Sequence, residues 1–166
     1  MALETGATEL RIVAVDHRKH EVAAAIHAVQ MAAYAQEARL LAVERFPPLD
    51  RTVADLQKTP EKFWIAADAE DVIGAISVGP DDTPNSMNIG SLVVLPMRQR
   101  EGIARRLVAA VIAQHGTAPI TVSTGLRNVP ALTLYAQFGF IEFHRCSVGA
   151  EPIEIVKLRR PSVCSR

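Results

Sequence analysis

The part of the sequence with the clearest potential for chemistry is residues 92–104 (LVVLPMRQREGIA), where an apolar run passes through a basic loop into a predicted helix. The run is apolar on both faces and is closed by Pro96, as expected of a central strand that is covered on both sides. The free amides at a helix start and the positive end of the helix dipole attract anions. Because Gly102 and Ala104 carry almost no side chain, a phosphate group has room to approach the backbone. The segment therefore predicts a pyrophosphate-binding loop.

A purely structural interpretation competes with this prediction. Gly102 would then only permit a tight turn, and the basic residues would form a solvated helix face, namely Arg98, Arg100, Arg105 and Arg106. Binding of a dinucleotide or a nucleoside triphosphate is less consistent with the sequence, because it contains neither Gly-x-Gly-x-x-Gly nor Gly-Lys-[Ser/Thr].

A second segment with defined spacing is residues 128–140 (NVPALTLYAQFGF). Asn128 is typical of a helix N-cap, and Pro130 is typical of a first helical turn. Ala131 and Tyr135 are four residues apart and therefore fall on one face of the helix. Tyr135 has the ordinary role of a core aromatic residue whose hydroxyl reaches water. For Asn128, capping and a ligand contact are equally well supported, and the two roles are compatible.

Together the two segments resemble the GNAT superfamily of N-acetyltransferases. Gln99-x-x-Gly102-x-Ala104 matches the [Gln/Arg]-x-x-Gly-x-[Gly/Ala] signature with which the family holds the pyrophosphate of coenzyme A, and residues 128–140 match the helix after the fifth strand. The resemblance is strong over residues 87–140 and looser before them. It implies one α/β (α+β) domain over residues 1–166, with a short polar tail at 160–166. The implied architecture is a mixed central sheet of about seven strands with about four helices and splayed fourth and fifth strands.

The resemblance implies acetyl-CoA as cosubstrate and no metal. The residues that it places against the cofactor are Leu92, Val93, Val94, Gln99, Arg100, Glu101, Gly102, Ile103, Ala104, Asn128, Ala131 and Tyr135. It implies catalytic roles for the amide of Leu92, which would stabilise an oxyanion, and for Tyr135, which would protonate the departing thiolate. A phenol with a pKa of about 10 suits that donor, because it is neutral at pH 7. We expect Glu101 to point away from the phosphates, which its charge would repel.

The sequence departs from the family pattern at Asn88. Some members carry a catalytic glutamate at this position of the fourth strand, and a neutral amide cannot act as a base. The proton of the attacking amine therefore needs another route. That route is either a water chain, to which Ser91 would contribute, or one of four side chains, Glu37, Glu44, Asp82 and His144.

The acceptor site falls in the part of the chain where the resemblance is loose. Tyr34, Glu37 and residues 47–49 would lie on the acceptor side and form an apolar cleft with one carboxylate. Helix packing followed by a rigid loop explains the same residues. The sharper hypothesis is that Glu37 orients a small cationic amine.

These observations predict an acyl-CoA-dependent N-acyltransferase that transfers an acetyl group to a primary amine of a small molecule or a protein. The amine would attack directly in a ternary complex, because no cysteine is placed for a covalent intermediate. The alternative is a non-catalytic module that binds acetyl-CoA as a sensor or interaction surface, which the missing carboxylate favours and Tyr135 opposes. Dimers are common in the resembling family, so a homodimer is compatible with the sequence, although no interface is evident.

The order of predicted elements agrees with a mixed sheet. Alternating or continuous apolar runs predict strands at residues 9–16, 63–68, 72–78, 87–95, 120–124, 140–148 and 153–158. Helical spacing and capping residues predict helices at 20–44, 52–58, 101–116 and 128–138.

The composition of the chain limits the kinds of protein, partner and location that fit the sequence. With 166 residues, 49% of them apolar and 22% charged, the chain is typical of one globular domain. The 18 basic and 18 acidic residues cancel, so no overall field attracts nucleic acid or an anionic membrane. Neither a signal peptide nor a membrane span is evident, and Cys146 and Cys164 lack zinc or disulfide spacing, so the cytoplasm is the expected location. Four histidines without metal spacing are expected at the surface or on helix sides, namely His17, His20, His27 and His115.

Overall fold

The computed structural model describes residues 9–163. Expectations for the first eight residues and for the end of the polar tail, including Cys164, lie outside this range. Within it the strands are β1 (Arg11–Val15), β2 (Lys62–Asp68), β3 (Asp71–Pro80), β4 (Met87–Val94), β5 (Ile120–Gly125), β6 (Ile141–Val148) and β7 (Ile153–Arg160). The α-helices are α1 (His20–Leu40), α2 (Val53–Lys58), α3 (Ile103–His115) and α4 (Val129–Gln137), with short 3-10 turns at Pro47–Asp50 and Pro96–Arg98. The predicted mixed sheet with seven strands and four helices is confirmed.

The strands form one sheet in the order β1-β2-β3-β4-β5-β7-β6. Only β4 and β5 pair in parallel, and the other neighbours are antiparallel. The hairpin predicted for the second and third strands is present as β2 and β3. The only parallel pair in the described sheet therefore lies at its centre, between the strand before α3 and the strand before α4.

Two apolar clusters hold the helices to the sheet. Residues of α1 and α2, including Ile26, Val29 and Leu56, pack against Phe63 and Val93. Residues of α3 and α4 form the other cluster with strand residues, among them Ile103, Leu107, Tyr135, Ile76 and Val122. Helices thus cover both faces of the central strands, which explains why the run at residues 92–95 is apolar on both faces.

The prediction of one helix over residues 20–44 was too long, because α1 ends at Leu40. Ala42 adopts a left-handed conformation (φ 56°), and the amides of Leu41 and Val43 bond back to the carbonyls of Glu37 and Ala38. Such a left-handed residue terminates an α-helix. None of the helices within residues 9–163 is long and apolar enough to cross a membrane.

The expectation that His17 lies at the surface was wrong. The side chain is buried, its Nε2 lies 2.9 Å from the carbonyl oxygen of Thr59, and its ring packs on Phe63. His17 follows β1 closely in the sequence, and its ring packs on Phe63 at the start of β2. His17 is therefore part of the packing between these two segments.

Candidate active site

The central feature of the site is a gap between β4 and β5. The two strands pair only at their starts, where Met87, Asn88 and Ile89 face Ile120, Thr121 and Val122. Beyond these residues β4 pairs only with β3, and β5 pairs only with β7. The second halves of the two central strands therefore leave backbone groups without a strand partner.

The direction of the backbone groups in β4 follows from its pairing with β3. The amide of Leu95 donates to the carbonyl of Ile73 at 2.9 Å, just after the end of β4. In an antiparallel pair, successive residues direct their backbone groups alternately toward and away from the partner strand. Leu92 and Val94 therefore direct their amides and carbonyls into the gap, whereas Val93 directs its own toward β3. The gap is therefore open to the backbone groups of Leu92 and Val94 but not to those of Val93, and contact of any of the three with a cofactor stays a prediction.

The loop before α3 is shaped for an anion. Arg100 and Gly102 both have left-handed conformations, with φ of 63° and 77°. Gly102 is the N-cap of α3 and provides no side-chain acceptor, so the amides of Ile103 and Ala104 lack a capping partner. The space where a Cβ of Gly102 would lie is open, with no atom within 4 Å. An uncapped, accessible helix start of this kind fits a phosphate group.

Side chains of the same loop connect it to its surroundings. The Arg98 guanidinium donates to both carboxylate oxygens of Glu101, at 2.9 and 3.2 Å, and to Asp68 at 2.9 Å. The charge of Glu101 is therefore compensated by Arg98. Gln99 Nε2 donates to Gln36 Oε1 at 2.6 Å, which links the loop to α1.

On the other side of the gap, Asn128 caps α4. Its Oδ1 accepts from the amide of Ala131 at 3.3 Å, so the predicted capping role is confirmed. Its Nδ2 donates to Glu37 Oε1, also at 3.3 Å. Asn128 therefore joins the start of α4 to the end of α1, and its contact with a cofactor stays a prediction.

Tyr135 lies in the core beside these groups. It is 3% exposed, and its ring packs on that of Phe140. Burial raises the pKa of Tyr135 far above its usual value, and the nearby Glu37 and Tyr34 raise it further. The hydroxyl therefore keeps its proton at neutral pH, and its role as a proton donor stays a prediction.

The gap between β4 and β5 and the uncapped start of α3 both lie in the part of the chain that matches a known family. The family model described as Acetyltransferase (GNAT) family matches residues 13–140. The chain belongs to the GNAT acetyltransferase family.

Two curated relatives are similar in sequence. The UPF0157 protein YqkA of Bacillus subtilis (strain 168) is 35% identical over 127 residues, which are 76% of this chain and 36% of that protein. N-acetyltransferase 8 of Homo sapiens is 30% identical over 98 residues, which are 55% of this chain and 43% of that protein. The matched part of the chain thus spans less than half the length of either relative.

Solved structures show the same fold. The ribosomal-protein-S18-alanine N-acetyltransferase from Escherichia coli superposes with a TM-score of 0.73 at 14% identity, covering 95% of this chain and 97% of that one. The structure of yncA from Salmonella typhimurium with its cofactor acetyl-CoA gives 0.68 at 15% identity, covering 95% and 96%. The NatC complex bound to Gag peptide and CoA also gives 0.68, at 24% identity, covering 93% and 99%. At these identities the likeness shows the GNAT fold.

In this GNAT chain the end of α1 contributes the two residues predicted for the acceptor side. Tyr34 is buried and packs edge-on against Phe46, and burial raises the pKa of Tyr34 to about 12. Burial also raises the pKa of Glu37, which the hydrogen bond from Asn128 partly opposes. The structure therefore brings Glu37 close to Asn128 and to the two tyrosines, Tyr34 and Tyr135.

Asn88 has a structural role at the closed end of the gap. Its Nδ2 donates to Thr121 Oγ1 at 2.9 Å, and that hydroxyl donates in turn to Asp81 at 3.1 Å. These bonds join the starts of β4 and β5, where the strands still pair. The position at which some GNAT enzymes carry a glutamate is thus used here to close the sheet.

The other residues considered for the proton route are exposed and dispersed. Glu44 lies after α1, where its amide donates to Glu151, Asp82 lies between β3 and β4, and His144 lies on the edge strand β6. Within residues 9–163, no group of three or more His, Cys, Asp or Glu side chains is arranged to hold a metal.

Sequence reasoning missed one carboxylate, that of Glu61. It lies over Gly79 and Gly90, on the neighbouring strands β3 and β4. No local motif indicates this contact, because the three residues are far apart in the sequence. Two glycines in the interior of strands were the available signal, since such glycines often mark a close approach of another group.

Proposed function

We propose that this chain is an acetyl-CoA-dependent N-acetyltransferase that acts on a primary amine of a small molecule. The observation that carries the proposal is the gap between β4 and β5, into which Leu92 and Val94 direct their backbone groups at the end of β4 that leads to the open start of α3. Acetyl-CoA supplies an activated acetyl thioester, and the chain supplies complementary groups along this path. The hydrogen-bond donors that the fold leaves free along this path therefore suit acetyl-CoA.

Three groups of residues would hold the cofactor. The amides at the start of α3, with Gly102 at their centre, suit the pyrophosphate. Leu92 and Val94 offer backbone donors and acceptors to the extended pantetheine chain, as one edge of a strand does. Asn128 lies at the far side of the gap, where its amide is shared with Glu37.

The reaction needs stabilisation of charge at two atoms. The Leu92 amide, directed into the gap, would bind the negative charge that develops on the thioester carbonyl oxygen. Tyr135 would protonate the sulfur as it leaves, because its hydroxyl carries a proton at neutral pH and its side chain lies close to Glu37. Tyr34 and Glu37 lie one helical turn apart on α1, and we propose that they contact the acceptor.

The names of relatives support amine acetylation but not one acceptor. N-acetyltransferase 8 is named for transfer to nitrogen, the E. coli structure for an alanine of a ribosomal protein, and the NatC structure contains a peptide and CoA. An amine panel therefore tests the proposal, with 1,4-diaminobutane, tyramine, an aminoglycoside and a peptide with a free amino terminus. We expect release of free CoA with at least one small amine, whereas turnover of the peptide alone would favour a protein acceptor.

Steady-state kinetics then test direct attack. Double-reciprocal plots against both substrates should intersect, because both must be bound before transfer. Parallel lines would indicate a covalent acetyl-enzyme and contradict the mechanism. Cytoplasmic location and a homodimeric state stay predictions.

A non-catalytic acetyl-CoA-binding module is the second candidate. The observation that favours it is Asn88, whose amide is bonded to Thr121 and provides no base. Tight binding of acetyl-CoA without turnover of any amine in the panel would support this alternative.

A further inference from the structure

The carboxylate of Glu61 reaches β4 from two strands away. Glu61 directly precedes β2, and β3 lies between β2 and β4. A Cβ on Gly79 of β3 would lie 3.1 Å from Glu61 Cγ, and a Cβ on Gly90 of β4 would lie 1.8 Å from Glu61 Oε1. The second distance is far shorter than any real contact. The two glycines therefore leave the space that the Glu61 side chain occupies.

Gly90 lies at an irregularity of β4 beside the reaction centre. Ser77 pairs with Ser91 and Val78 pairs with Ile89, so Gly90 is the extra residue of a β-bulge. The Cβ position of Gly90 is also 3.1 Å from Ser77 Oγ, which lies 2.9 Å from Ser91 Oγ. Ser91 directly precedes Leu92. The Ser77 and Ser91 hydroxyls therefore lie close to the space over Gly90 that Glu61 Oε1 occupies, next in sequence to the proposed oxyanion donor.

The two oxygens of Glu61 have different surroundings. Oε2 accepts a hydrogen bond from Thr59 Oγ1 at 3.3 Å and lies 3.6 Å from Arg51 Nη2. Oε1 is the atom that lies over Gly90, and Gly90 is exposed. The other ionisable group near this region is Tyr34 of α1: burial raises its pKa to about 12, a hydrogen bond with Ser91 opposes that rise, and the charges of Arg51 and Glu61 act on it more weakly. Oε2 is thus held in place, and Oε1 faces the accessible side of β4.

Gln30 provides an independent indication that this region holds a ligand. Its side chain is fully buried on α1, its Nε2 donates to Ser91 Oγ at 3.4 Å, and its Oε1 has no partner among the described residues. If the amide is turned the other way, its nitrogen is the unpaired atom instead. A buried polar group without a partner requires a water or a ligand atom. The polar cluster of Gln30, Ser77 and Ser91 therefore has an unused hydrogen-bonding position beside Leu92.

We propose that Glu61 is the proton acceptor for the attacking amine, the role that Asn88 cannot fill. This inference rests on the acetyl transfer proposed above. It favours an alkylamine that is cationic at neutral pH as the substrate class, because such an amine must lose a proton before its lone pair can attack.

The ammonium group gives one proton, through a water over the exposed Gly90, to Glu61 Oε1. The freed nitrogen lone pair forms the C–N bond at the acetyl carbonyl carbon, and the C–S bond breaks. The sulfur takes a proton from Tyr135, and the second proton lost by the nitrogen returns to Tyr135. Glu61 finally releases its proton to water.

Glu61→Gln tests this proposal, with Glu70→Gln as the matched control. Glu70 is an exposed carboxylate in the turn between β2 and β3. With the panel amine that the wild type uses best, we expect Glu61→Gln to lower kcat at pH 7 by about a hundredfold or more, as loss of a general base does. The loss of kcat in Glu61→Gln relative to wild type should shrink as the pH rises toward 10, because the free alkylamine becomes about tenfold more abundant per pH unit below its pKa. Glu70→Gln should retain wild-type rates at every pH.

A second variant moves the carboxylate without removing it. Gly90→Ala places a methyl group where Glu61 Oε1 lies, so we expect a loss of kcat although Glu61 is still present. The thermal shift caused by acetyl-CoA should be unchanged in both variants. This second variant tests the proposal even if Glu61→Gln does not fold.

Several results would overturn the assignment. A wild-type kcat in Glu61→Gln, a rise in the acceptor KM alone, or a deficit that does not shrink at high pH would each exclude the base role of Glu61 and leave the acetyltransferase intact. A wild type that binds acetyl-CoA but acetylates no amine of the panel would remove the proposed function, and the assignment of Glu61 with it.

Discussion

Replacement of Asn128 by alanine tests the connection between α1 and α4. The side chain caps α4 through Ala131 and donates to the half-buried carboxylate of Glu37. Loss of an N-cap costs about 1 kcal/mol and at most about 2. Loss of the donor to a partly buried charged group costs about 1.5–3 kcal/mol more. We therefore expect the free energy of unfolding to fall by about 2.5–5 kcal/mol.

Thermal unfolding without ligand is the direct assay. For a chain of this length about 1 kcal/mol corresponds to about 2–4 °C, so the midpoint of Asn128→Ala should fall by about 5–20 °C. Asn128→Asp is the matched variant, because it retains the capping oxygen but places a second carboxylate against Glu37. Asn128→Asp should be less stable than wild type at pH 7, and this loss of stability should shrink on acidification, because one of two adjacent carboxyls then binds a proton.

The reasoning would be refuted by an Asn128→Ala midpoint within about 1 °C of wild type, because that shift corresponds to less than about 0.5 kcal/mol. An Asn128→Asp deficit that grows as the pH falls would show that the two side chains do not meet.

Two further substitutions test the residues beside Asn128. Tyr135→Phe should lower kcat by about a hundredfold or more, because the thiolate loses its proton donor. The free energy of unfolding measured in urea should change by less than about 1.5 kcal/mol. An unchanged kcat would exclude the donor role. Glu37→Gln should raise the acceptor KM by more than about tenfold, a loss of about 1.4 kcal/mol in binding free energy, and leave the KM for acetyl-CoA unchanged. An acceptor KM equal to that of wild type would exclude a role of Glu37 in acceptor binding. Because burial raises the pKa of Glu37 above 4.5, the folded protein binds this proton more tightly, and the wild type should gain stability relative to Glu37→Gln as the pH falls from neutral toward 4.5. A loss of relative stability over the same range would contradict the burial of Glu37.

The donor side of the site was predictable because its determinants are local in sequence. An apolar strand, a short loop with Gly102 and an amphipathic helix occupy consecutive residues, so their order predicts an open helix start at the end of a central strand. Asn128 was recognisable as a cap for the same reason. Boundaries were less certain, and the end of α1 was missed because the left-handed Ala42 follows from the packing of the turn and not from a glycine.

The acceptor side depends on contacts between distant segments. The direction of the Val93 backbone depends on the register with β3, which periodicity does not specify. The contact of Glu61 with Gly90 joins the residue before β2 to β4, with β3 between them. The hydrogen bond from Gln99 to Gln36 joins α1 to a loop sixty-three residues later. Such contacts follow from topology and cannot be derived from local patterns.

The central claim is that the chain binds acetyl-CoA through the start of α3, and a thermal-shift titration of wild type and Gly102→Glu tests it most directly. Ala109→Glu, which adds the same side chain at an exposed position within α3, is the control. A ligand at about a hundred times its dissociation constant stabilises the folded state by about 2.7 kcal/mol, or about 5–11 °C here. We predict this rise in wild type and in Ala109→Glu and its loss in Gly102→Glu. The absence of a rise in wild type, or an equal rise in all three proteins, would contradict the account.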